Sequence, residues 1–391
     1  MSRAIATPDS LISLETPVPV VDLDRLAHNL DRMAAYSAMH GVSLRPHVKT
    51  HKSRRMAAEQ MRLGAIGLTC ATPRELEVMS GVSNDLLLAY PPVGTMRVRR
   101  VVETLPDGTL TVMLDSAAAA DELAAAARAV GRTVRVLVEV DLGMHRVGVV
   151  RAADAVALAA HVARTPGLVY QGIGFYPGHI RESVDRQGAG LAQLASDLGS
   201  LTALLDRAGL TPTVVSGSST PIAWHAHELP RVTELRPGTY IFNDRTTALI
   251  GACAWEDCAL TVLATVVSTS VSGQAVIDAG SKALGREPLR GTGGMADRDG
   301  WGALLDQPDV VVTRMSEEHG VLDLSATAWR PAVGDRVRIV PNHVCYVVAL
   351  FDEVFGVRGT HVETLWPVDA RGRMQQVGHD APAPRFTPRL A

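Results

Sequence analysis

The sequence has few aromatic residues, few cysteines and no strong excess of either charge. Aromatic side chains make up 4% of its 391 residues, and the formal net charge at pH 7 is −3. No basic excess of the kind that binds nucleic acid is present, so we expect no nucleic-acid partner. Four scattered cysteines do not form the disulfide framework of a small secreted protein. They are Cys70, Cys253, Cys258 and Cys345.

Long hydrophobic runs are also missing. Residues 1–15 contain no apolar run of signal-peptide length. The longest apolar stretches, such as 259–267, are short and rich in valine, which is typical of buried strands rather than of membrane spans. We therefore expect a soluble, cytoplasmic protein with no membrane partner. The segment from His379 onward is rich in proline, which predicts a loose tail over 379–391.

Short apolar runs alternate with longer helical patterns from residue 20 to about 245. The pattern gives about eight strand–helix units, which is the number expected for a (β/α)8 barrel of the TIM type. An open, doubly wound sheet is the alternative, but no predicted strand is followed by a G-x-G-x-x-G turn. We therefore predict a barrel domain over residues 21–245.

The pattern changes after residue 245, where β-rich runs are separated by glycine, proline and charged turns and long helices are absent. This composition predicts an antiparallel, β-rich domain built from residues 246–378, with residues 1–20 adding a strand to it. The glycine-rich stretch 285–300 is predicted to be a loop.

Polar residues follow several predicted barrel strands, at the ends where a barrel places its active site. Lys49 follows the first strand in RPHVKTHK, Arg146 follows the fifth in DLGMHRVGV, and Tyr176 and His179 follow the sixth in FYPGH. A lysine in this position can form a Schiff base with an aldehyde cofactor, and Arg146 could neutralise the phenolate oxygen of that cofactor. For any single lysine, a surface role remains the alternative.

Two glycine- and hydroxyl-rich segments, SGSSTP at 216–221 and RPGTY at 236–240, follow the last predicted barrel strands. Backbone amides and hydroxyls of this kind can hold a phosphate group without a charged side chain. An ordinary turn is the alternative for SGSSTP taken alone. The candidate cofactor-binding residues in the two segments are Ser218, Ser219, Thr220, Gly238, Thr239 and Tyr240.

The motif PNHVC in the β-rich domain places His343 and Cys345 two residues apart. On a strand, side chains at this spacing share one face, so imidazole and thiolate could bind one ion together. Such a ligand pair favours zinc over magnesium. A buried cysteine beside a structural histidine remains the alternative. The lone C-x4-C formed by Cys253 and Cys258 is weak evidence for a second zinc site.

Taken in order, PHVKTHK, DLGMHRVGV, YPGH, SGSSTP, RPGTYIFND and PNHVC resemble the D-threonine aldolase and D-serine dehydratase family over roughly residues 16–370. These are fold-type III pyridoxal phosphate enzymes, built like alanine racemase. The resemblance implies that Lys49 bonds covalently to pyridoxal 5'-phosphate and that Arg146 and Tyr176 lie against its ring. It also implies that SGSSTP and RPGTY bind the phosphate.

The resemblance further implies that His343 and Cys345 hold a divalent metal. In this family D-threonine aldolases often carry His-x-Asp and favour manganese or a similar hard ion. D-serine and 3-hydroxyaspartate dehydratases carry His-x-Cys. We therefore expect a lyase that dehydrates a D-3-hydroxy amino acid to a 2-oxo acid and ammonia. Zinc is the favoured metal, and manganese or magnesium is the alternative.

Three other activities remain open at this point. In an aldolase, a base would take the β-hydroxyl proton to give glycine and an aldehyde, and His179 is the candidate for that base. An amino-acid racemase would need no metal, and a non-catalytic pyridoxal phosphate carrier would lack the β-rich domain. The fold type also implies a homodimer, in which each site combines Lys49 of one barrel with the β domain of the partner.

Overall fold

The structure is a computed structural model that describes residues 9–289 and 300–372. The predicted tail and most of the predicted glycine-rich loop lie outside these residues. The chain divides into two compact units. We call them the barrel unit (Met33–Ile180 and Asp185–Gly238) and the β unit (9–32, Arg181–Val184 and the described part of Thr239–Arg371). No helix in the described part of the chain is long and apolar enough to cross a membrane.

Strand β1 (Val18–Asp22) and helix α1 (Leu23–His40) come first along the chain. The Asp22 carboxylate accepts hydrogen bonds from the backbone N–H groups of Asp24 and Arg25, both at 3.1 Å, which satisfies two donors of the first helical turn. The helix ends at His40 and is followed by Gly41, whose φ of +62° favours glycine.

The barrel unit contains eight parallel strands within 43–235, a range that the structure describes in full. In space they follow the order β2-β9-β8-β7-β6-β5-β4-β3. Hydrogen bonds from Ile66 N to Leu44 O and from Thr69 N to Pro46 O, both 2.9 Å, join the first strand to the second and close the barrel. The strands are β2 (Ser43–Leu44), β3 (Leu68–Cys70), β4 (Asp85–Leu88), β5 (Thr109–Leu114), β6 (Val134–Glu139), β7 (Leu168–Phe175), β8 (Val214–Gly217) and β9 (Glu234–Leu235).

Helices follow most of these strands, so the predicted barrel is confirmed and the open-sheet alternative is wrong. They are α2 (Arg54–Arg62), α3 (Pro73–Met79), α4 (Thr95–Glu103), α5 (Ala117–Ala129), α6 (Ala152–Arg164) and α7 (Gly188–Arg207). The sequence pattern predicts a first strand over VSLRPHV at 42–48, but β2 covers only Ser43–Leu44. Because Pro46 has no N–H to give to a ladder, β2 stops early and the chain forms a 3-10 turn at Val48–Thr50.

The β unit is built on one sheet that contains nine strands among the described residues. Strand β1 joins this sheet, antiparallel to β10 and parallel to β16. The remaining elements of the unit are β10 (Leu260–Ser268), β11 (Gln274–Ile277), β12 (Gly302–Leu304), β13 (Val312–Met315), β14 (Gly320–Asp323), β15 (Arg336–Pro341), β16 (Glu353–Arg358), β17 (His361–Pro367), α8 (Arg245–Leu249), α9 (Ser281–Leu284) and α10 (Val344–Leu350).

Candidate active site

Lys49 lies in the 3-10 turn Val48–Thr50, which three residues separate from the end of β2. The turn starts at His47, whose Nδ1 accepts a hydrogen bond from the backbone N–H of Lys49 at 3.4 Å. Gly238 packs against this turn, since a Cβ on that residue would lie 2.7 Å from Thr50 Oγ1. The absence of a side chain at Gly238 therefore lets the RPGT segment approach the backbone that carries the lysine.

Two buried histidines flank the lysine. Burial lowers the pKa of His47 well below its ordinary value, and the nearby Lys49 ammonium lowers it further. Burial also lowers the pKa of His51 to about 4. His51 Nε2 lies 3.2 Å from Gln60 Oε1, and its Nδ1 accepts from the backbone N–H of Ser53 at 3.1 Å. Both histidines are therefore neutral near pH 7 and add no positive charge beside Lys49.

Tyr176 brings two cations together at the end of β7. Its ring centroid lies 5.5 Å from Lys49 Nζ and 5.0 Å from the guanidinium carbon of Arg146. His179 packs against the loop that carries Arg146, since a Cβ on Gly143 would lie 2.7 Å from His179 Nε2. The structure thus gathers four residues that the sequence singled out, and it does so within the barrel unit.

The SGSSTP segment follows β8 and is buried. Ser218 Oγ donates to Ser219 O at 3.2 Å, and Thr220 starts a 3-10 helix. Ser219 Oγ is buried and has no hydrogen-bond partner among the described residues. An unpaired buried hydroxyl costs about 1–3 kcal/mol, so this segment fits an anionic group that accepts from Ser219.

Thr239 and Tyr240, the other two phosphate candidates, belong to a 3-10 turn in the β unit. Tyr240 is buried, at 3% exposure. Thr239 Oγ1 lies 4.0 Å from Cys345 Sγ, so within the β unit Thr239 is a neighbour of the PNHVC segment.

The sequence did not reveal two buried charged residues of the barrel unit. Glu139 ends β6 at 4% exposure, and its Oε2 has no hydrogen-bond partner in the described structure. Burial raises the pKa of Glu139 to about 7, although Arg236 and Arg146 oppose the shift. Arg236 donates to Ser216 O at 2.7 Å and to Phe175 O at 2.9 Å. In the sequence, the available signal for the buried carboxyl was that Glu139 is the single charged residue ending the apolar run VLVE.

The PNHVC motif lies where β15 gives way to α10, so the prediction that His343 and Cys345 share one face of a strand is wrong. His343 is the N-cap residue, and Cys345 is the second residue of the helix. The chain turns here because the Asp244 carboxylate accepts a hydrogen bond from the backbone N–H of Val344, at 3.3 Å.

The two side chains of the motif nevertheless contact each other. His343 and Cys345 are joined by a side-chain hydrogen bond. Burial by itself lowers the pKa of His343, but the neighbouring Cys345 sulfur and Asp244 carboxylate outweigh burial and raise it well above its ordinary value. The position therefore favours a positive charge, and a metal ion can supply it in place of a proton.

A metal at this position would have two protein ligands. No group of three or more His, Cys, Asp or Glu residues is arranged to hold an ion within 9–289 and 300–372. Imidazole nitrogen and thiolate are ligands that zinc accepts, and water and a substrate oxygen can complete its shell. The residues present therefore fit the metal that the resemblance implies.

Cys253 and Cys258 are both buried in the β unit and have free thiols. They hydrogen-bond to each other, and this contact together with burial raises the pKa of Cys258. The raised pKa of the Cys258 thiol disfavours the thiolate form that zinc requires. The pair is thus better described as core packing than as a metal site.

Comparisons with known proteins agree with this geometry. The family model described as "Alanine racemase, N-terminal domain" matches residues 21–246, and "Putative serine dehydratase domain" matches residues 259–357. D-threo-3-hydroxyaspartate dehydratase from Delftia sp. (strain HT23) is 37% identical over 368 residues, covering 88% of this chain and 94% of the relative.

Two solved structures resemble the chain over nearly its whole length. The crystal structure of D-threonine aldolase from Filomicrobium marinum has a TM-score of 0.85 and 32% identity, covering 95% of this chain and 99% of that chain. A cysteine-to-alanine variant of D-threo-3-hydroxyaspartate dehydratase, described as the metal-free form, has a TM-score of 0.82 and 33% identity, covering 92% and 99%.

Proposed function

The chain belongs to the D-threonine aldolase and D-serine dehydratase family of pyridoxal-phosphate-dependent lyases with an alanine-racemase-like fold, and from this premise we propose that it dehydrates a D-3-hydroxy amino acid. The products are a 2-oxo acid and ammonia. The observation that carries the proposal is the contact between His343 and Cys345, because the dehydratases of the family carry His-x-Cys. The 37% identity to D-threo-3-hydroxyaspartate dehydratase supports 3-hydroxyaspartate as the first substrate to test.

The cofactor assignment rests on the barrel unit. Lys49 is proposed to bond to the cofactor, with Arg146 and Tyr176 against its ring. The proposed phosphate-binding residues are Ser218, Ser219, Thr220, Gly238, Thr239 and Tyr240. The unpaired, buried hydroxyl of Ser219 supports this assignment.

Pyridoxal phosphate, when bound, withdraws electrons from the substrate Cα and makes its proton easier to remove. Lys49 Nζ is the proposed acceptor of that proton. His47 and His51 are neutral, so they do not repel a proton that arrives on the lysine. Arg146 supplies the positive charge that offsets the cofactor's phenolate oxygen.

The proposed metal ligands are His343 and Cys345. The ion would act as a Lewis acid on the β-hydroxyl that leaves the substrate. Zinc is favoured because a thiolate is one of the two ligands, and manganese or magnesium is the alternative.

Retro-aldol cleavage to glycine and an aldehyde is the second candidate. The likeness to the Filomicrobium marinum D-threonine aldolase favours it. In that reaction His179, which packs against the Arg146 loop, would take the β-hydroxyl proton.

Product analysis separates these candidates. Purified holoprotein is supplied with D-threo-3-hydroxyaspartate, D-serine and D-threonine in the presence of zinc or manganese. We expect ammonia together with oxaloacetate from D-threo-3-hydroxyaspartate, pyruvate from D-serine or 2-oxobutanoate from D-threonine. Glycine with an aldehyde would show the aldolase instead, and loss of optical activity without ammonia would show a racemase.

Three further expectations remain proposals. We propose that the protein is a homodimer. Sedimentation at working concentration should therefore give twice the mass of the chain, and the mass of a monomer would contradict the proposal. The domain limits at 21–245 and 246–378 stay a prediction. The cytoplasmic location also stays a prediction.

A further inference from the structure

Asp244 is a fully buried carboxylate whose two oxygens both accept hydrogen bonds within the β unit. Oδ2 lies 2.8 Å from His343 Nδ1 and 3.3 Å from the backbone nitrogen of Val344. Oδ1 accepts from the backbone N–H of Thr247 at 2.9 Å. Because each oxygen already has donors, the carboxylate is committed to the protein and is not left to bind an ion directly.

The contact with His343 determines which ring nitrogen carries the hydrogen. A carboxylate has no hydrogen to donate, so the short contact requires that Nδ1 of His343 be the donor. The lone pair of the neutral ring is then on Nε2. A histidine that binds a metal through one nitrogen commonly donates its other N–H to a carboxylate, which fixes both its tautomer and its ring orientation.

The carboxylate is itself held in place from the other side. Thr247 and Asp244 form a reciprocal capping box at the start of α8, in which Asp244 N donates to Thr247 Oγ1 at 2.8 Å. The neighbouring Thr246 Oγ1 donates to Asn342 O at 2.7 Å, so α8 also fixes the backbone directly before His343. The position of Asp244 is therefore set before any ion binds.

We propose that Asp244 is a positioning residue of the metal site, which holds His343 as its Nδ1–H tautomer and thereby sets the affinity for the ion. This inference rests on the proposed metal role of His343 and Cys345. It predicts that the carboxylate acts through His343 and that its loss weakens metal binding without removing either ligand.

The test compares metal affinities of holoprotein that has been freed of metal with a chelator. Zinc chloride and manganese chloride are titrated calorimetrically into the wild type, Asp244→Asn and His343→Ala. We expect Asp244→Asn to bind about 10–100-fold more weakly, as for other outer-sphere partners of metal histidines. Asp257→Asn is the matched control, since Asp257 also caps a short helix in the β unit and bonds to Ala254 N rather than to His343. It should keep the wild-type affinity.

Thermal unfolding of the same metal-free variants separates positioning from a merely structural role. If Asp244→Asn lowers the melting temperature of the metal-free protein but keeps the wild-type zinc affinity, the proposal is overturned. If His343→Ala also binds zinc like the wild type, the metal assignment itself fails, and the inference fails with it.

Thr247→Val keeps the inference testable should Asp244→Asn not fold. This variant retains the carboxylate but removes the hydroxyl of the capping box. With Asp244 held less firmly, the variant should bind zinc about threefold more weakly, in line with the loss of one hydrogen bond. An unchanged zinc affinity in Thr247→Val would count against the proposal.

Discussion

In the barrel unit the residues assigned to the cofactor lie just after parallel strands, whereas in the β unit His343 and Cys345 lie at a junction between a strand and a short helix. The barrel itself brings its strand ends together, so Lys49, Arg146 and Tyr176 meet without any one contact being responsible. The position of His343 depends on one carboxylate, Asp244. The difference indicates that the contacts proposed for the cofactor ring and the proposed metal site can be disrupted separately.

Replacing Lys49 with alanine should have the largest effect. We expect turnover to fall by more than about a thousandfold, because the residue that bonds to the cofactor and moves the Cα proton is gone. The visible absorbance of the lysine-bound cofactor should disappear with it. Lys52→Ala is the matched control, since Lys52 lies three residues on and pairs with Glu75. A Lys49→Ala protein that still holds the cofactor covalently would refute the assignment.

His343→Ala should have the next largest effect and should reveal the difference between the two units most clearly. Lewis-acid assistance is worth several kcal/mol, so turnover should fall by at least about 100-fold. The visible absorbance of the cofactor should remain, because the contacts proposed for its ring lie in the barrel unit. Absorbance and ammonia release measured on one sample check both statements. Loss of the absorbance would show that the two functions are not separable.

Glu139→Gln should change the pH dependence of stability. The folded pKa is about 7 and the ordinary value is 4.5, so between these values the folded state holds a proton that the unfolded state has released. The contribution of this carboxyl to the free energy of unfolding is therefore fully present below pH 4.5. It is lost, by about 3 kcal/mol at most, as the pH rises from there through about 7. Gln cannot ionise. In urea unfolding, the stability of the variant relative to the wild type should increase as the pH rises from about 5 to about 8. An identical pH profile for the two proteins would contradict the burial of this carboxyl.

Ser219→Ala should have the smallest effect. Loss of one hydroxyl from the phosphate site should weaken cofactor binding to cofactor-free protein by about tenfold, or about 1.4 kcal/mol. Fluorescence titration with pyridoxal phosphate measures this. Pyridoxal, which has no phosphate, is the matched ligand and should bind both proteins equally. An equal loss for both ligands would remove Ser219 from the phosphate site.

Much of the barrel unit could be predicted from the sequence because its strands and helices follow local patterns. Each of Lys49, Arg146 and Tyr176 follows a short apolar run, and the rule for barrel strand ends then brings them together. The junction at His343 could not be predicted in this way. Its backbone is turned by a hydrogen bond to Asp244, 99 residues away from His343 in the sequence, and no local pattern contains that contact.

Burial of charge was equally hidden. Glu139 occupies the last position of a strand whose other inward residues are apolar, and alternation alone does not show that its carboxyl is removed from water. Burial raises its pKa, and the two side chains that oppose the shift, Arg236 and Arg146, come from other parts of the barrel. Such groups become visible only when the tertiary contacts are known.

The most direct test of the account measures ammonia release from D-threo-3-hydroxyaspartate by the holoprotein before chelation, after chelation, and after zinc is restored. We predict that oxaloacetate and ammonia form in equal amounts. Chelation should abolish the release of both products while the visible absorbance of the cofactor persists, and added zinc should restore product release. Ammonia release that is unaffected by chelation, or glycine and glyoxylate as the products, would contradict a metal-assisted dehydratase.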